Sequence, residues 1–182
     1  MRVVWMALSA AALAGSADAQ LRGFSAEVRA GASAGNYAGA ASEFEVLPGA
    51  AWGASVSYEA REHLSVHAGY SRASFGCRTG FCADGEARFT SAGLDVGVRY
   101  ALPYVPAAAP WVSAGIARHA LRADAAGEMD DASGWGVSVG AGAEVRLDGR
   151  LSVTPGVRYV RHGAGDDDAA MVVADVGLRI RT

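Results

Sequence analysis

At 182 residues the chain has room for one domain, and 51% of its residues are apolar even though 24 are glycine. After the N-terminus, no apolar run approaches the roughly 20 residues that a transmembrane helix needs. The net charge of −3 argues against a general affinity for nucleic acid, because proteins that bind it usually carry a basic face.

The first twenty residues predict a cleaved signal peptide. Met1-Arg2 gives a positive start, residues 3–15 are uncharged and mostly apolar, and Ala17-Asp18-Ala19 places small residues at the two positions that a signal peptidase reads. The alternative, a membrane anchor, needs a longer stretch than these roughly 13 residues. We therefore expect removal of residues 1–19 on export and a single barrel domain over residues 20–182.

The remainder of the chain alternates with period two. Every second residue from Trp135 to Leu147 is apolar, and the residues between them are Gly, Ser, Glu144 and Arg146. Successive side chains of a strand point to opposite faces, so this segment predicts a strand with one apolar and one polar face. The same pattern predicts eight strands of about ten residues, the length that a tilted strand needs to cross a bilayer. They cover residues 24–33, 52–59, 64–71, 90–100, 112–117, 135–147, 151–159 and 172–181.

The links between the predicted strands differ in length. Residues 59–63 and 147–151 are tight turns, and residues 103–110 form a Pro-bounded, uncharged link. The other links are predicted to be polar, Gly-rich or acidic loops. They are residues 36–48, 76–86, 122–132 and 161–169. Short turns on one side and longer loops on the other are typical of an up-and-down transmembrane barrel, with turns facing the periplasm and loops facing outside.

The charged residues of the strands indicate which face meets lipid. Five carboxylates and five guanidiniums share the face opposite the apolar one, and between them stand mostly Gly and Ser. In an eight-stranded barrel the interior is just wide enough for side chains to fill it. An Arg near the bilayer midplane on the lipid side would cost about 2–4 kcal/mol. We therefore predict a barrel-interior charge network of Glu27, Arg29, Glu59, Asp95, Arg99, Glu144, Arg146, Arg158, Asp175 and Arg179.

Aromatic residues on the apolar face support the same orientation. They lie near predicted strand ends, where belts of Trp and Tyr mark the membrane–water interfaces. These residues are Phe24, Trp52, Tyr58, Tyr70, Tyr100, Trp135 and Tyr159.

The two cysteines, Cys77 and Cys82, stand five residues apart in a turn-rich segment. In an oxidising compartment such a pair predicts a disulfide that closes the loop; two free thiols are the alternative. Two sulfur ligands without a second pair or a nearby His do not make a zinc site.

No arrangement of residues predicts catalysis, a metal site or a cofactor. His63, His67, His119 and His162 lack metal-ligand spacing and nucleophile partners, so structural or solvated roles are favoured. Residues 166–168 are three successive aspartates without the ligand spacing of a calcium loop, and a solvated acidic loop is predicted there. The chain is predicted not to be an enzyme.

Several segments carry a family resemblance. They are Pro110-Trp111-Val112-Ser113-Ala114-Gly115-Ile116, residues 140–147 followed by Arg150-Leu151-Ser152-Val153, and Gly156-Val157-Arg158-Tyr159. In this order, after a signal peptide, the chain resembles the OmpA-like and opacity-type outer-membrane β-barrel family, which includes small Ail/OmpX-type proteins. The family usually closes with an aromatic C-terminal residue, where this chain has Thr182. The resemblance implies outer-membrane lipid and the outer-membrane assembly machinery as partners.

Three functional hypotheses follow for an all-β, eight-stranded antiparallel transmembrane barrel. In the first, the barrel is a monomeric anchor whose loops meet extracellular or host ligands, or serve the cell envelope, as the resemblance implies. In the second, it is a narrow pore for ions or small solutes. In the third, it is a soluble periplasmic β-barrel binding module.

Overall fold

A computed structural model describes residues 23–37, 48–77, 87–102, 108–125 and 128–182, which form eight strands. In chain order they are β1 (Phe24–Tyr37), β2 (Gly49–Arg61), β3 (Leu64–Cys77), β4 (Ala87–Ala101), β5 (Ala108–Ala125), β6 (Glu128–Arg146), β7 (Leu151–Ala164) and β8 (Asp167–Arg181). The described ranges contain no helix that is long and apolar enough to cross a membrane.

The eight strands close into one antiparallel barrel in sequence order, with β8 paired to β1. The predicted all-β, eight-stranded up-and-down architecture is confirmed. When the paired residues are followed from strand to strand around the barrel, the path that starts at Phe24 passes through Val98 and Tyr159 and returns to β1 at Ala34. The shear of the barrel is therefore ten residues. With strands about 4.8 Å apart and about 3.3 Å per residue, this offset tilts the strands by about 40° and places the backbone about 8 Å from the axis. Such a cylinder is filled by its own inward side chains.

The two faces of the strands separate as the alternation predicts. Outward residues such as Val137 (54% exposed), Val96 (52%) and Val176 (55%) lie open on the outer surface, while the residues between them are more enclosed. Large exposed apolar side chains surround the barrel. The surface of a water-soluble protein differs, because it rarely exposes an apolar area that is so continuous. The surface therefore suits an apolar solvent.

The strand links define two ends. The "turn end" carries the links β2–β3, β4–β5 and β6–β7, together with Phe24 and Thr182 near the ends of the barrel strands; the "loop end" carries the other four links. At the turn end, the β6–β7 link is closed by Asp148, whose Oδ1 accepts hydrogen bonds from the backbone N–H groups of Arg150 and Leu151, both at 2.7 Å. These two bonds hold the pKa of Asp148 below its usual range.

The prediction of long loops over residues 122–132 and 161–169 was wrong. β5 and β6 pair as far as Ala125 with Glu128, and β7 and β8 pair as far as Ala164 with Asp167, across a turn that contains Gly165 at φ 68°. Backbone pairing does not require an apolar face, so the strands continue beyond the segment whose side chains alternate. The predicted loops 36–48 and 76–86 fall largely outside the described residues, as does Cys82.

Candidate functional site

The turn-end half of the interior is an ionic layer built around Glu27 on β1. Its carboxylate accepts a hydrogen bond from Arg99 Nη1 at 3.0 Å, and Arg29 Nη1 lies 3.8 Å away. The Arg99 guanidinium also stacks over the inward Trp111 ring, with its Cζ 4.0 Å from the ring centroid. All four side chains point to the axis from β1, β4 and β5, and Trp111 fills space that glycines on β6 and β7 leave open.

A second group of charges lies higher in the same layer. Asp175 on β8 accepts hydrogen bonds from Arg158 Nε at 3.2 Å and Arg158 Nη2 at 2.5 Å, and Arg29 Nε lies 4.0 Å from it. Arg158 and Asp175 are only 11% and 6% exposed. Arg29 thus lies between Glu27 and Asp175 and links the two groups. Charges this far from water are tolerated only when paired and hydrogen-bonded.

At the turn end the interior opens into a cavity of about 610 Å³. Glu144 lies at its floor, 3.4 Å from Arg179 Nη1, and receives a further hydrogen bond from Arg181. Of the ten predicted network residues, Asp95 pairs with His119, described below, and Glu59 and Arg146 take part in no ion pair among the described residues: both are exposed and line the mouth of this cavity. The structure brings the other eight into the interior.

Further towards the loop end, two histidines form a buried polar chain that the sequence did not reveal. Asp95 lies 3.3 Å from His119 Nε2 and accepts a hydrogen bond from Ser71 at 2.7 Å. The Ser91 hydroxyl joins His119 Nδ1 at 3.0 Å to His162 Nε2 at 2.9 Å. Both rings are almost fully buried. The described residues hold no group of three or more His, Cys, Asp and Glu suited to a metal ion.

Apolar side chains close the interior around and above this chain. One cluster, the apolar layer, packs at the level of the histidines. It consists of Ala51, Ala73, Ala117, Val160, Met171 and Val173. Nearer the loop end, Phe75 and Phe89 stack with ring centroids 5.4 Å apart, and both are buried. The cavity between the ionic groups measures only about 40 Å³, room for little more than one water molecule. The described interior is filled, and no wide path runs along its axis.

The outer surface carries arginines that the predicted strands did not include. Arg72 on β3 and Arg118 on β5 point outward and are exposed. Arg118 stacks on Trp135 at 5.6 Å. Arg161 on β7 also points outward, and its Nη2 donates to Asp168 at 2.5 Å. Arg72 and Arg118 both lie on the half of the outer surface that is nearer the loop end.

Comparison with known proteins agrees with this geometry. Residues 4–179 match the model of the outer membrane protein beta-barrel domain family. A comparison with curated protein sequences found no match.

Solved structures similar to this chain include small outer-membrane barrels. Neisserial surface protein A superposes with a TM-score of 0.71 at 15% identity, over 88% of this chain and 97% of that one. OprG from Pseudomonas aeruginosa gives a TM-score of 0.56 at 13% identity, over 88% and 98%. Ail, the attachment invasion locus protein of Yersinia pestis, solved with the heparin analogue sucrose octasulfate, gives 0.54 at 11% identity, over 86% and 99%. At these identities the likeness concerns the fold.

Proposed function

The chain belongs to the outer membrane β-barrel family, and from that premise we propose that it is a non-catalytic, non-conducting anchor that presents its loop-end hairpins to partners outside the cell. The chain lies in the outer membrane, as the sequence predicted. This location excludes the soluble periplasmic binding module. By the usual arrangement of such barrels, the turn end faces the periplasm and the loop end faces outside.

The observation that carries the proposal is the filled interior. The ion pairs of Glu27, Asp175 and Glu144 occupy the periplasmic half, and the apolar layer with Phe75 and Phe89 occupies the outer half. A path for hydrated ions would have to displace both groups at once. The interior therefore favours the anchor over the second hypothesis, a narrow pore.

The outward projection of β5 and β6 gives the anchor a surface to present. These strands have 18 and 19 residues, against 13 to 15 in the other six. At an axial rise of about 2.5 Å per residue, their tip stands about 40 Å above the level of Phe24, well beyond an apolar band of about 25 Å. This hairpin ends in the acidic residues Glu128, Asp130 and Asp131. The projecting hairpin supports a role in adhesion, host interaction or envelope interaction.

Conductance separates the anchor from the pore. Purified protein inserted into planar bilayers should give no steady current above the bare membrane, because ion pairs and apolar side chains fill the described interior above the turn-end cavity. A reproducible single-channel conductance in 1 M KCl would instead assign the pore.

A shortened hairpin tests the interaction role itself. Residues 123–130 can be replaced by Asn-Gly, a two-residue hairpin turn, because Arg122 and Asp131 face each other in the register. Expressing cells should then lose adhesion to epithelial monolayers, or their resistance to detergent, while Gly149→Ala in the periplasmic turn leaves both unchanged. Heat-modifiable gel mobility confirms that each barrel has folded. If the shortened variant matches the full chain in both assays, the hairpin is not the interacting surface.

We further propose that residues 1–19 are removed on export in a Gram-negative-type cell, that residues 20–182 form the mature, monomeric barrel, and that the assembly machinery inserts it. In the same compartment Cys77 and Cys82 would form a disulfide. Mass spectrometry of the isolated protein, with and without reductant, tests both: we expect a mature mass that starts at Gln20 and, on reduction, a gain of the mass of two hydrogen atoms.

A further inference from the structure

Two arginines on the lipid-facing surface have no carboxylate partner among the residues that the structure describes. Arg72 and Arg118 are exposed, and neither takes part in an ion pair within the described residues. The neighbouring Arg161 differs, because Asp168 neutralises it at 2.5 Å. A guanidinium at the edge of the hydrocarbon is stabilised by an anion, and the described residues provide none for these two side chains.

The barrel register gives their level in the membrane. With an axial rise of about 2.5 Å per residue, Arg72 and Arg118 lie about 21–23 Å above the level of Phe24. Phe24, Tyr58 and Tyr100 form the lower aromatic belt, and the apolar band of such barrels is about 25 Å tall. Both arginines therefore lie at the upper edge of the band, where lipid headgroups of the external leaflet begin.

Their surroundings form a shallow site on one side of the barrel. Ala92 on β4 pairs with Arg72 and lies between the two strands that carry the arginines. Because its side chain is small, the outer surface is shallow at this point. Trp52 is the cross-strand neighbour of Arg72, and Trp135 stacks on Arg118 at 5.6 Å. The arginine Cα atoms are about 12 Å apart by strand spacing, so two guanidiniums on their flexible stems can reach one headgroup.

The opposite side of the barrel lacks these charges at the same level. There the outward residues of β8, β1 and β2 are Val172, Ala32 and Ala50. Among the described residues at this level, positive charge without an ion pair thus lies in the sector from β3 to β5 and does not form a uniform ring. A lipid would be bound at a particular place.

From this arrangement we propose that Arg72 and Arg118, flanked by Trp52 and Trp135 over Ala92, form a binding site for the phosphate groups of an anionic lipid in the external leaflet. Arginine suits this ligand because its planar fork donates two hydrogen bonds to phosphate oxygens. The inference uses the outer surface alone and does not depend on whether the β5–β6 hairpin binds a partner.

The test measures lipid binding to the full barrel by native mass spectrometry and by fluorescence titration in phosphatidylcholine nanodiscs. The probes are lipid A, which carries two phosphates, and its dephosphorylated form with the same acyl chains. A basic side chain at the membrane surface contributes about 1 kcal/mol, so Arg72→Gln/Arg118→Gln should weaken binding of lipid A by roughly 30-fold at low salt. The matched control is Arg61→Gln/Arg150→Gln, which removes the same charge from exposed positions at the turn end.

The proposal expects three results together. Lipid A binds the unaltered protein more tightly than its dephosphorylated form, the difference shrinks as salt screens the charges, and the control variant keeps the preference. The proposal is overturned if the two lipids bind equally, if Arg72→Gln/Arg118→Gln stays within about twofold of the unaltered protein, or if the control loses as much. Free inorganic phosphate should not compete at millimolar concentration; full competition would assign a soluble anion in place of a lipid.

Discussion

Two Arg–Asp pairs of equal length but different burial make the filled interior testable. Arg158 and Asp175 lie inside the barrel, 11% and 6% exposed, with Nη2 and Oδ2 2.5 Å apart. Arg161 and Asp168 lie outside, 57% and 46% exposed, at the same 2.5 Å. Asp175→Asn and Asp168→Asn remove one charge of the same kind from each pair, and each keeps the size of the side chain.

The expected costs follow from the surroundings. Asp175→Asn leaves Arg158 without its carboxylate and takes a second anion from Arg29, 4.0 Å away. Breaking a buried pair by removing one partner costs about 3–5 kcal/mol, because the other charge remains buried. An exposed pair contributes about 0–1 kcal/mol. We therefore expect the free energy of unfolding to fall by about 3 kcal/mol more for Asp175→Asn than for Asp168→Asn, more than a hundredfold in the equilibrium constant.

Reversible urea unfolding from lipid vesicles, followed by tryptophan fluorescence, measures this difference. Arg158→Gln/Asp175→Asn should recover part of the loss, because it removes the stranded charge along with its partner. Equal losses in the two single variants, within about 0.5 kcal/mol, would mean that water screens the interior pair as well as it screens the surface pair. The closed interior would then be refuted.

Three further predictions concern packing and the periplasmic turn. Gly136→Ala should slow folding into vesicles and lower stability, because its new Cβ would lie 2.5 Å from the Cα of His162, whereas Gly149→Ala, with nothing within 4 Å, should match the unaltered protein in the same folding assay. Phe89→Ala should lower the free energy of urea unfolding by about 3–5 kcal/mol, because the ring is buried and stacked; a loss below about 1 kcal/mol would show that the ring does not pack in the interior. Asp148→Ala should lower the free energy of unfolding at pH 7. Because the pKa of Asp148 is lowered in the folded state, the difference in this free energy between the variant and the unaltered protein should shrink as the pH falls below about 4, through that lowered pKa. A difference that is independent of pH would contradict the role of the two backbone hydrogen bonds.

Side-chain alternation was sufficient to predict the barrel and the direction of its faces. In β6, the predicted alternation is the alternation of exposure from Trp135 to Ala141, and towards the turn end Arg146 is exposed as well. Strand ends were harder to predict, since β5 and β6 stay paired as far as Ala125 and Glu128 and backbone pairing requires no alternation of side chains. Arg72 and Arg118 lie one residue beyond the predicted strands 64–71 and 112–117, so the sequence alone assigns them to neither face.

Which interior charges meet could not be read from the sequence. Glu27 and Arg99 are on strands β1 and β4, and they meet across the axis because the register is offset by ten residues around the barrel. The chain Asp95–His119–Ser91–His162 depends on the same offset, which brings β4, β5 and β7 to one level. Period two fixes the face of a residue, whereas the shear of the barrel fixes its height and hence its neighbours.

The orientation of the apolar face is the claim on which the account depends, and nitroxide accessibility measures it directly. In a protein with Cys77 and Cys82 replaced by Ser, spin labels at Val96→Cys and Val157→Cys, both outward and near mid-height, are compared in vesicles with a label at Arg150→Cys in the turn. The account predicts that the first two collide freely with oxygen dissolved in the bilayer and scarcely with a water-soluble nickel chelate, while the third does the reverse. If the labels at residues 96 and 157 are as accessible to the nickel chelate as the label at residue 150, the apolar face does not meet lipid and the account is contradicted.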